Sequence, residues 1–165
     1  MIGKSKQGDD FRTCEKLLYN YKYIDNDIEG YQNTIDYLKE SDYSATLQAM
    51  QYDKDVISAT NKFSSSVENA VIERDKVISY YEQKIKNLEY IKRKINIALK
   101  RLTPEEYKLI ELRYFSKEPL TWVQIGNLMN FCKDNCMLFR NKTINKLIPY
   151  LVDCKQLFSE VLANL

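Results

Sequence analysis

Residues 121–151 read TWVQIGNLMNFCKDNCMLFRNKTINKLIPYL. Thr121 is placed to cap a helix whose apolar positions are Val123, Ile125, Leu128 and Met129, with Trp122 at its start as a cover for the local core. Gly126 falls where a second helix, arriving after a tight corner, comes closest to the first. A missing Cβ there removes a clash and offsets the helix propensity that glycine gives up. Four residues on, Asn130 suits a left-handed backbone, which asparagine tolerates better than most residues, and Phe131 is expected to plug the corner into the core. The second helix begins near Cys132, which caps poorly and leaves Lys133, Asp134 and Asn135 to share that task.

Inside this second helix Cys136, Phe139, Thr143, Ile144 and Leu147 fall on the inward face. Lys133, Asn135, Met137, Leu138, Arg140, Asn141, Lys142, Asn145 and Lys146 fall outward. Between 133 and 148 the cations Lys133, Arg140, Lys142 and Lys146 face the single anion Asp134, whereas the whole chain carries a net charge of only +2. The positive excess is local, and a helix rich in Lys, Arg and Asn has the chemistry that meets phosphates and base edges in a major groove. The pattern is that of a helix-turn-helix. Its expected DNA-contacting set is Thr121, Lys133, Asp134, Asn135, Met137, Leu138, Arg140, Asn141, Lys142 and Lys146. Arg140, Lys142 and Lys146 would hold phosphates, while Lys133, Asn135 and Asn141 reach base edges. Met137 and Leu138 either touch thymine methyls or pack on a neighbouring helix. A plainer reading makes the basic helix a solvated face of a bundle; it accounts for the charge but not for the small residue, the left-handed residue and the cap at matching spacing.

Working outward, Thr103-Pro104-Glu105-Glu106 combines an N-cap, a first-turn proline and two first-turn carboxylates. It opens a helix that carries Leu109, Ile110, Leu112 and Arg113-Tyr114-Phe115 to about residue 115, where Ser-Lys-Glu-Pro ends it. A domain of residues 102–165 follows, closed by the amphipathic tail CKQLFSEVLANL. That tail has Leu157, Phe158, Val161, Leu162 and Leu165 on one side and is expected to dock on the rest of the chain or on a second subunit.

Residues 1–101 read as a helical region. Cys14, Leu17, Tyr21, Ile24, Ile28, Tyr31, Ile35 and Leu38 recur in steps of three and four and predict one helix over about 10–39, with Glu15, Lys16, Lys22, Asp25 and Asp27 on its solvent side. Residues 40–64 lose this seam and read as a connector, with a short helix near 44–51. The seam resumes as Val67, Val71, Ile78, Tyr81, Ile85, Leu88, Ile95, Leu99 and Leu102, interrupted at Arg74 and Lys92. Its start would be capped by one of Ser64–Ser66, and its near-3.5 repeat indicates a coiled-coil surface. The two helices are expected to form a long antiparallel hairpin, and the chain to be all-α: that hairpin followed by a C-terminal helix-turn-helix domain. Four glycines and three prolines leave too few turn-formers for a β-protein.

ELRYF…TWVQIGNLMN…RNKTINKL resembles the C-terminal region-four domain of bacterial sigma factors, and resembles more closely the phage and prophage regulators of the ArpU and RinA type. The residues that carry the resemblance are Leu102-Thr103-Pro104-Glu105-Glu106, Leu109 to Phe115, Trp122, Ile125-Gly126, Leu128 and Thr143-Ile144-Asn145-Lys146-Leu147, within 102–151. It implies a transcriptional regulator of phage or prophage genes, late genes among them, that binds double-stranded DNA. Action in the cytoplasm of a bacterial host is expected, and the coiled coil is expected either to set the geometry of a homodimer through the helical hairpin or to touch bacterial RNA polymerase. The chain departs from the sigma pattern at Cys132, in place of Ser or Thr, and at Lys133-Asp134-Asn135, in place of Arg-Glu-Arg. A different operator is therefore implied, and nothing in the chain resembles the module that melts promoters.

Composition narrows the rest. Histidine is absent, which removes the usual zinc ligand and proton shuttle. Cys14, Cys132, Cys136 and Cys154 contain no CxxC pair, and the start MIGKSKQGDDF is polar, so free thiols in a reducing cytosol are expected. Cys132 and Cys136 as metal ligands, or the pairs Asp9-Asp10 and Asp25 with Asp27 as a cation site, are weaker readings than core and solvated surface. No phosphate-binding glycine loop or nucleophile elbow occurs, so neither an enzyme nor a cofactor is expected. No apolar run approaches the roughly 20 residues that span a bilayer. Two other functions stay open: a small terminase-like DNA-packaging subunit, and an interaction module that binds RNA polymerase or another protein through Met137 and Leu138.

Overall fold

The computed structural model describes the backbone of residues 3–52, 62–118, 120–154 and 157, and the side chains of 8–41, 71–118, 120–154 and 157. All regular structure among the described residues is helical. In chain order the elements are α1 (Gly3–Tyr21), α2 (Ile24–Tyr52), α3 (Lys62–Leu99), α4 (Pro104–Ile110) with a π-helical turn at Glu111–Phe115, α5 (Trp122–Met129) and α6 (Lys133–Leu151), which ends in a 3-10 turn at Val152–Cys154. Among the described residues no helix is long and apolar enough to cross a membrane.

The expected first helix over 10–39 is two helices. The chain turns at Lys22-Tyr23, where the Tyr23 N–H donates to the Asn20 carbonyl at 2.9 Å and the Lys22 ammonium donates to the Ser116 carbonyl at 3.0 Å. A seam in steps of three and four runs across such a break without a change of phase, so periodicity alone does not register it. The expected connector at 40–64 is also corrected. α2 continues to Tyr52 and α3 begins at Lys62, before the serines expected to cap it; residues 53–61 lie outside the described ones. No glycine or proline occurs between Gly30 and Pro104. Over residues 40–52 and 62–64 the backbone meets no breaker, and it stays helical without an apolar stripe in its sequence.

The chain forms two compact units, Met1–Asp25 with Asn87–Leu165, and Asn26–Lys86. These are not the parts made by a cut at residue 102. α1 belongs with the C-terminal helices because Cys14, Leu17 and Leu18 form a fully buried face that needs an apolar partner. In this first unit Ile91, Ile95 and Ala98 of α3, Leu109, Ile110, Tyr114, Ile125, Ile144, Leu147 and Leu151 are likewise buried. Tyr21 donates to Asn96 Oδ1 at 2.6 Å and Asp25 pairs with Lys92. The later of the two first-segment residues thus meets the earlier α3 residue, an antiparallel sense. The tail expected over Cys154–Leu165 lies almost wholly outside the described residues, but Cys154 itself is buried.

In the second unit Ile35 and Ile78 are buried, and the rings of Tyr31 and Tyr81 form a tilted pair, 5.4 Å between centroids. Lys84, off the heptad seam, is also buried. Its ammonium lies 4.8 Å from the Tyr80 ring centroid and 5.3 Å from that of Tyr31. Two aromatic faces replace part of its lost hydration.

Tyr114 fixes α1 to the rest of the first unit. It is the largest fully buried side chain among the described residues, stacks edge-on against Tyr19 at 4.6 Å, and donates its hydroxyl to Glu15 Oε1 at 2.7 Å. Burial first, then the neighbouring Glu15 carboxylate, pushes its pKa far above the ordinary phenol value, so the hydroxyl stays a donor. Tyr114→Phe is expected to lower stability by about 1.5 kcal/mol, the range for a hydrogen bond to a charged group, in urea unfolding followed by circular dichroism. An unchanged midpoint would mean that the Glu15 carboxylate finds equal solvation without it.

Candidate nucleic-acid interface

Two capping boxes set the frame. Thr103 Oγ1 accepts from the Glu106 N–H while Glu106 Oε2 accepts from the Thr103 N–H, at 3.3 and 2.9 Å. Thr121 Oγ1 and Gln124 repeat the arrangement at 3.3 and 2.9 Å. The Thr103 and Thr121 caps agree with the sequence reading. The signal for Gln124 is in the sequence as well, since a Gln three residues after a threonine cap is the spacing a capping box requires.

α5 ends at Asn130, whose φ of 56° makes it the single non-glycine residue with positive φ among those described. The N–H groups of Asn130 and Phe131 both donate to the Gly126 carbonyl, which satisfies an acceptor at the helix end that would otherwise be orphaned. The chain then doubles back so closely that a Cβ on Gly126 would lie 2.5 Å from the Phe131 carbonyl oxygen and 3.7 Å from Cys136 Sγ. Cys132 stands at the N-cap of α6 with no side-chain cap bond. Ile125, Leu109 and Cys136 form the buried centre, with Leu112, Leu120, Trp122, Met129 and Phe139 packed around it.

Three apolar residues of this region lie elsewhere than expected. Val123 is 58% exposed, Leu128 53% and Phe131 37%. α5 has only two turns, and Ile125, Gly126 and Met129 take its inward side; Val123 and Leu128 fall on the other. Phe131 lies edge-on against Phe139, 5.6 Å between centroids, on the rim of the corner and not within the core.

On α6 the inward set is as expected: Cys136, Thr143, Ile144 and Leu147 are fully buried and Phe139 half-buried. Thr143 directs its hydroxyl to the Phe139 carbonyl at 2.9 Å. Lys133, Asp134, Asn135, Asn141, Lys142, Asn145 and Lys146 are exposed, as are Met137 and, at 66%, Leu138. Thr121 is exposed at the N-cap of α5, with its hydroxyl engaged by Gln124.

Arg140 departs from its expected place on the outer face. It is half-buried, lies 3.4 Å from Glu15 Oε1, and has the rings of Phe11 and Trp122 within 5.2 and 5.6 Å of its guanidinium carbon. At 100° per residue, position 140 falls on the same side as 136, 143 and 147, and a guanidinium drawn partly out of water there costs free energy unless it meets an anion. Glu15 is that partner, so its expected solvation is corrected too. Arg140 Nε also donates to Asn141 Oδ1 at 3.1 Å. A chain of polar contacts thus runs from Tyr114 through Glu15 and Arg140 to the outward amide of Asn141. Trp122 is flanked by a second guanidinium, that of Arg113 at 4.7 Å, which is held by the Leu120 carbonyl. Glu15 and Tyr114 have no local sequence signal, since their partners lie 99 residues apart.

Lys146 is tied in a different way. Its ammonium lies 2.7 Å from Glu106 Oε2, and Glu106 is buried. Burial pushes the Glu106 pKa up, but Lys146, the Thr103 N–H and Lys142 together outweigh it and hold the carboxyl below its ordinary value. Burial raises the thiol pKa of Cys136 and Cys154, and takes Cys14, with Glu15 beside it, to about 12. These three are protonated core residues at neutral pH. Among the described residues no group of three or more His, Cys, Asp or Glu is placed to hold a metal ion.

Together these features define the class: an all-helical chain in which two capped helices and a tight left-handed corner present one face of α6 to solvent. The chain belongs to the family described as "Protein of unknown function (DUF722)", whose model matches residues 14–149. No curated protein and no solved structure matches it. The matched span includes Glu15, Tyr114, Arg140 and the entire α5–α6 corner.

Two outcomes follow from this geometry. Gly126→Ala is expected to lower stability by about 1–3 kcal/mol, because the new methyl meets backbone and not a movable side-chain end; an unchanged urea midpoint would show that the corner opens without cost. Glu106→Gln is expected to cost roughly 1–2 kcal/mol at neutral pH. The folded Glu106 pKa lies below its unfolded value of 4.5, so its contribution is full above that value and is lost as pH falls through the folded one. Stability curves of the two proteins should therefore converge toward acid; a gap that stays constant down to pH values below both would assign the loss to shape and not to charge.

Proposed function

We propose that the chain is a sequence-specific DNA-binding transcriptional regulator of phage or prophage genes, acting through a helix-turn-helix made by α5 and α6. The observation that carries this reading is the α5–α6 corner. Gly126 lies against the Phe131 carbonyl and Asn130 is left-handed, and beyond that turn α6 presents Lys133, Asn135, Asn141, Lys142 and Asn145 to solvent. A helix held at a fixed angle by backbone contact, with amides and ammonium groups outward, is suited to a major groove. The resemblance of residues 102–151 to region-four domains and to ArpU- and RinA-type regulators supports the same reading.

The contacts of Arg140 and Lys146 suggest a different division of labour on α6 from the expected one, and Lys133, exposed in its first turn, is assigned with Lys142. Lys133 and Lys142 take the phosphate role, Lys146 joins them while held by Glu106, and Arg140 positions Asn141. The long helices α2 and α3 form the antiparallel hairpin, which sets dimer geometry or touches bacterial RNA polymerase in the host cytoplasm. A second reading has a specific observation in its favour: the exposed Val123, Leu128, Met137 and Leu138 suit a module that binds protein. A terminase-like packaging subunit has none.

The test is the salt dependence of binding to a labelled DNA duplex by fluorescence anisotropy. Lys133→Glu combined with Lys142→Glu is expected to weaken binding and to reduce the slope of log affinity against log salt by about 2. Wild-type protein that binds duplex with no salt dependence, or not at all, while Met137→Ser with Leu138→Ser abolishes RNA polymerase capture, would establish the interaction module instead.

A further inference from the structure

Resting on the DNA-binding reading above, we infer that α6 reads an A·T-rich half-site, with Asn141 and Asn145 on adenine edges and Leu138 on a thymine methyl. The face that does so is defined by spacing and burial. Asp134, Leu138, Asn141 and Asn145 stand at i, i+4, i+7 and i+11 and are all exposed. Cys136, Thr143 and Leu147, buried, form a parallel stripe displaced by two residues. Two residues are about 200° of helix, so the four exposed residues lie opposite the core and are the ones a groove floor would meet first.

Their chemistry is selective. An amide pairs in bidentate fashion with adenine N6 and N7, and an apolar side chain meets the C5 methyl of thymine. The commonest specific contact is Arg or Lys on guanine O6 and N7, and the stripe of Asp134, Leu138, Asn141 and Asn145 holds neither. The one arginine of α6 is Arg140, which is turned inward to Glu15 between Phe11 and Trp122. Lys146 is held by Glu106, and Lys142 and Lys133 flank the stripe where phosphates run. Asp134 would be repelled by a phosphate, and a base amino group such as cytosine N4 suits it at one end of the site.

Arg140 has a positive part as well. Its Nε donates to Asn141 Oδ1 at 3.1 Å, which fixes the amide with its nitrogen directed away. A carbonyl oxygen has two lone pairs, so Oδ1 still accepts from adenine N6 while Nδ2 donates to N7. The amide is therefore oriented before DNA arrives, by a contact chain anchored on Tyr114, and its ordering cost on binding is reduced.

The experiment is selection of bound duplexes from a random-sequence library by the full chain, repeated with Asn141→Ala. It is followed by binding measurements on the selected duplex with thymine replaced by uracil, which lacks the methyl. An A·T-rich element is expected to be enriched, and Asn141→Ala to erase its adenine preference and weaken binding roughly tenfold. Uracil is expected to weaken wild-type binding severalfold and to weaken Leu138→Ala no further. Both side chains are exposed, so matching circular dichroism will show the variants folded. A G·C-rich element, or an A·T element indifferent to both Asn141→Ala and uracil, overturns the readout and leaves DNA binding standing. No enrichment together with salt-independent binding overturns the DNA-binding reading, and this one with it.

Discussion

The approach of Gly126 to the Phe131 carbonyl governs what the rest of the C-terminal half can do. With a Cβ position only 2.5 Å from that oxygen, the corner tolerates hydrogen and nothing larger unless the backbone shifts. Because the obstruction is backbone, it sets the direction of α6 and not merely the placement of a side chain. Asn130 supplies the left-handed step, and Cys136 then enters the core beside Ile125 and Leu109. Everything on the outer face of α6 takes its angle from this one contact.

The charges of α6 are distributed by what lies behind it. Arg140 and Lys146 both find carboxylates brought by other elements, Glu15 from α1 and Glu106 from α4. Each pair is partly buried, so removal of one partner leaves a charge with poor solvation and costs more than an exposed pair would. The two pairs hold α6 from opposite ends of its middle section. They also lower the number of cations presented outward, and on the proposed reading leave the amides as the selective groups and the exposed lysines as the electrostatic ones.

Some of this was legible in the sequence and some was not, for reasons that differ by residue. Thr103, Thr121, Gly126 and Asn130 were readable because each acts through the backbone within five residues of itself, and local geometry is what residue type encodes most directly. The inward set of α6 was readable from its 3.6-residue period. Val123 and Leu128 were not, because a helix of two turns gives too short a sample of the period to choose between its faces. The short helix expected near 44–51 is the end of α2, but the helical backbone on either side of it, over 40–43 and 62–64, was not legible, because an apolar stripe is not what keeps a helix going where no glycine or proline breaks it.

Arg140 marks the limit most clearly. A count of cations over 133–148 treats it as equal to Lys142, two positions away, yet the helical phase already set them apart: 140 lies on the side of 136, 143 and 147. The phase could have excluded Arg140 from the outer face, but it could not have supplied Glu15, which comes from 125 residues upstream through the docking of α1. Charge on a helix is therefore a statement about composition until the tertiary partners are known. Here those partners turn one of the three expected phosphate contacts inward, and its Nε donates to Asn141 Oδ1 instead. A substitution at Arg140 would disturb the core contact and the outward amide together, so a loss of binding there would not separate phosphate contact from positioning. On the proposed reading, Lys142, exposed and one residue beyond that amide, separates the two better, since its only effect among the described residues is a weak pull on the Glu106 carboxylate.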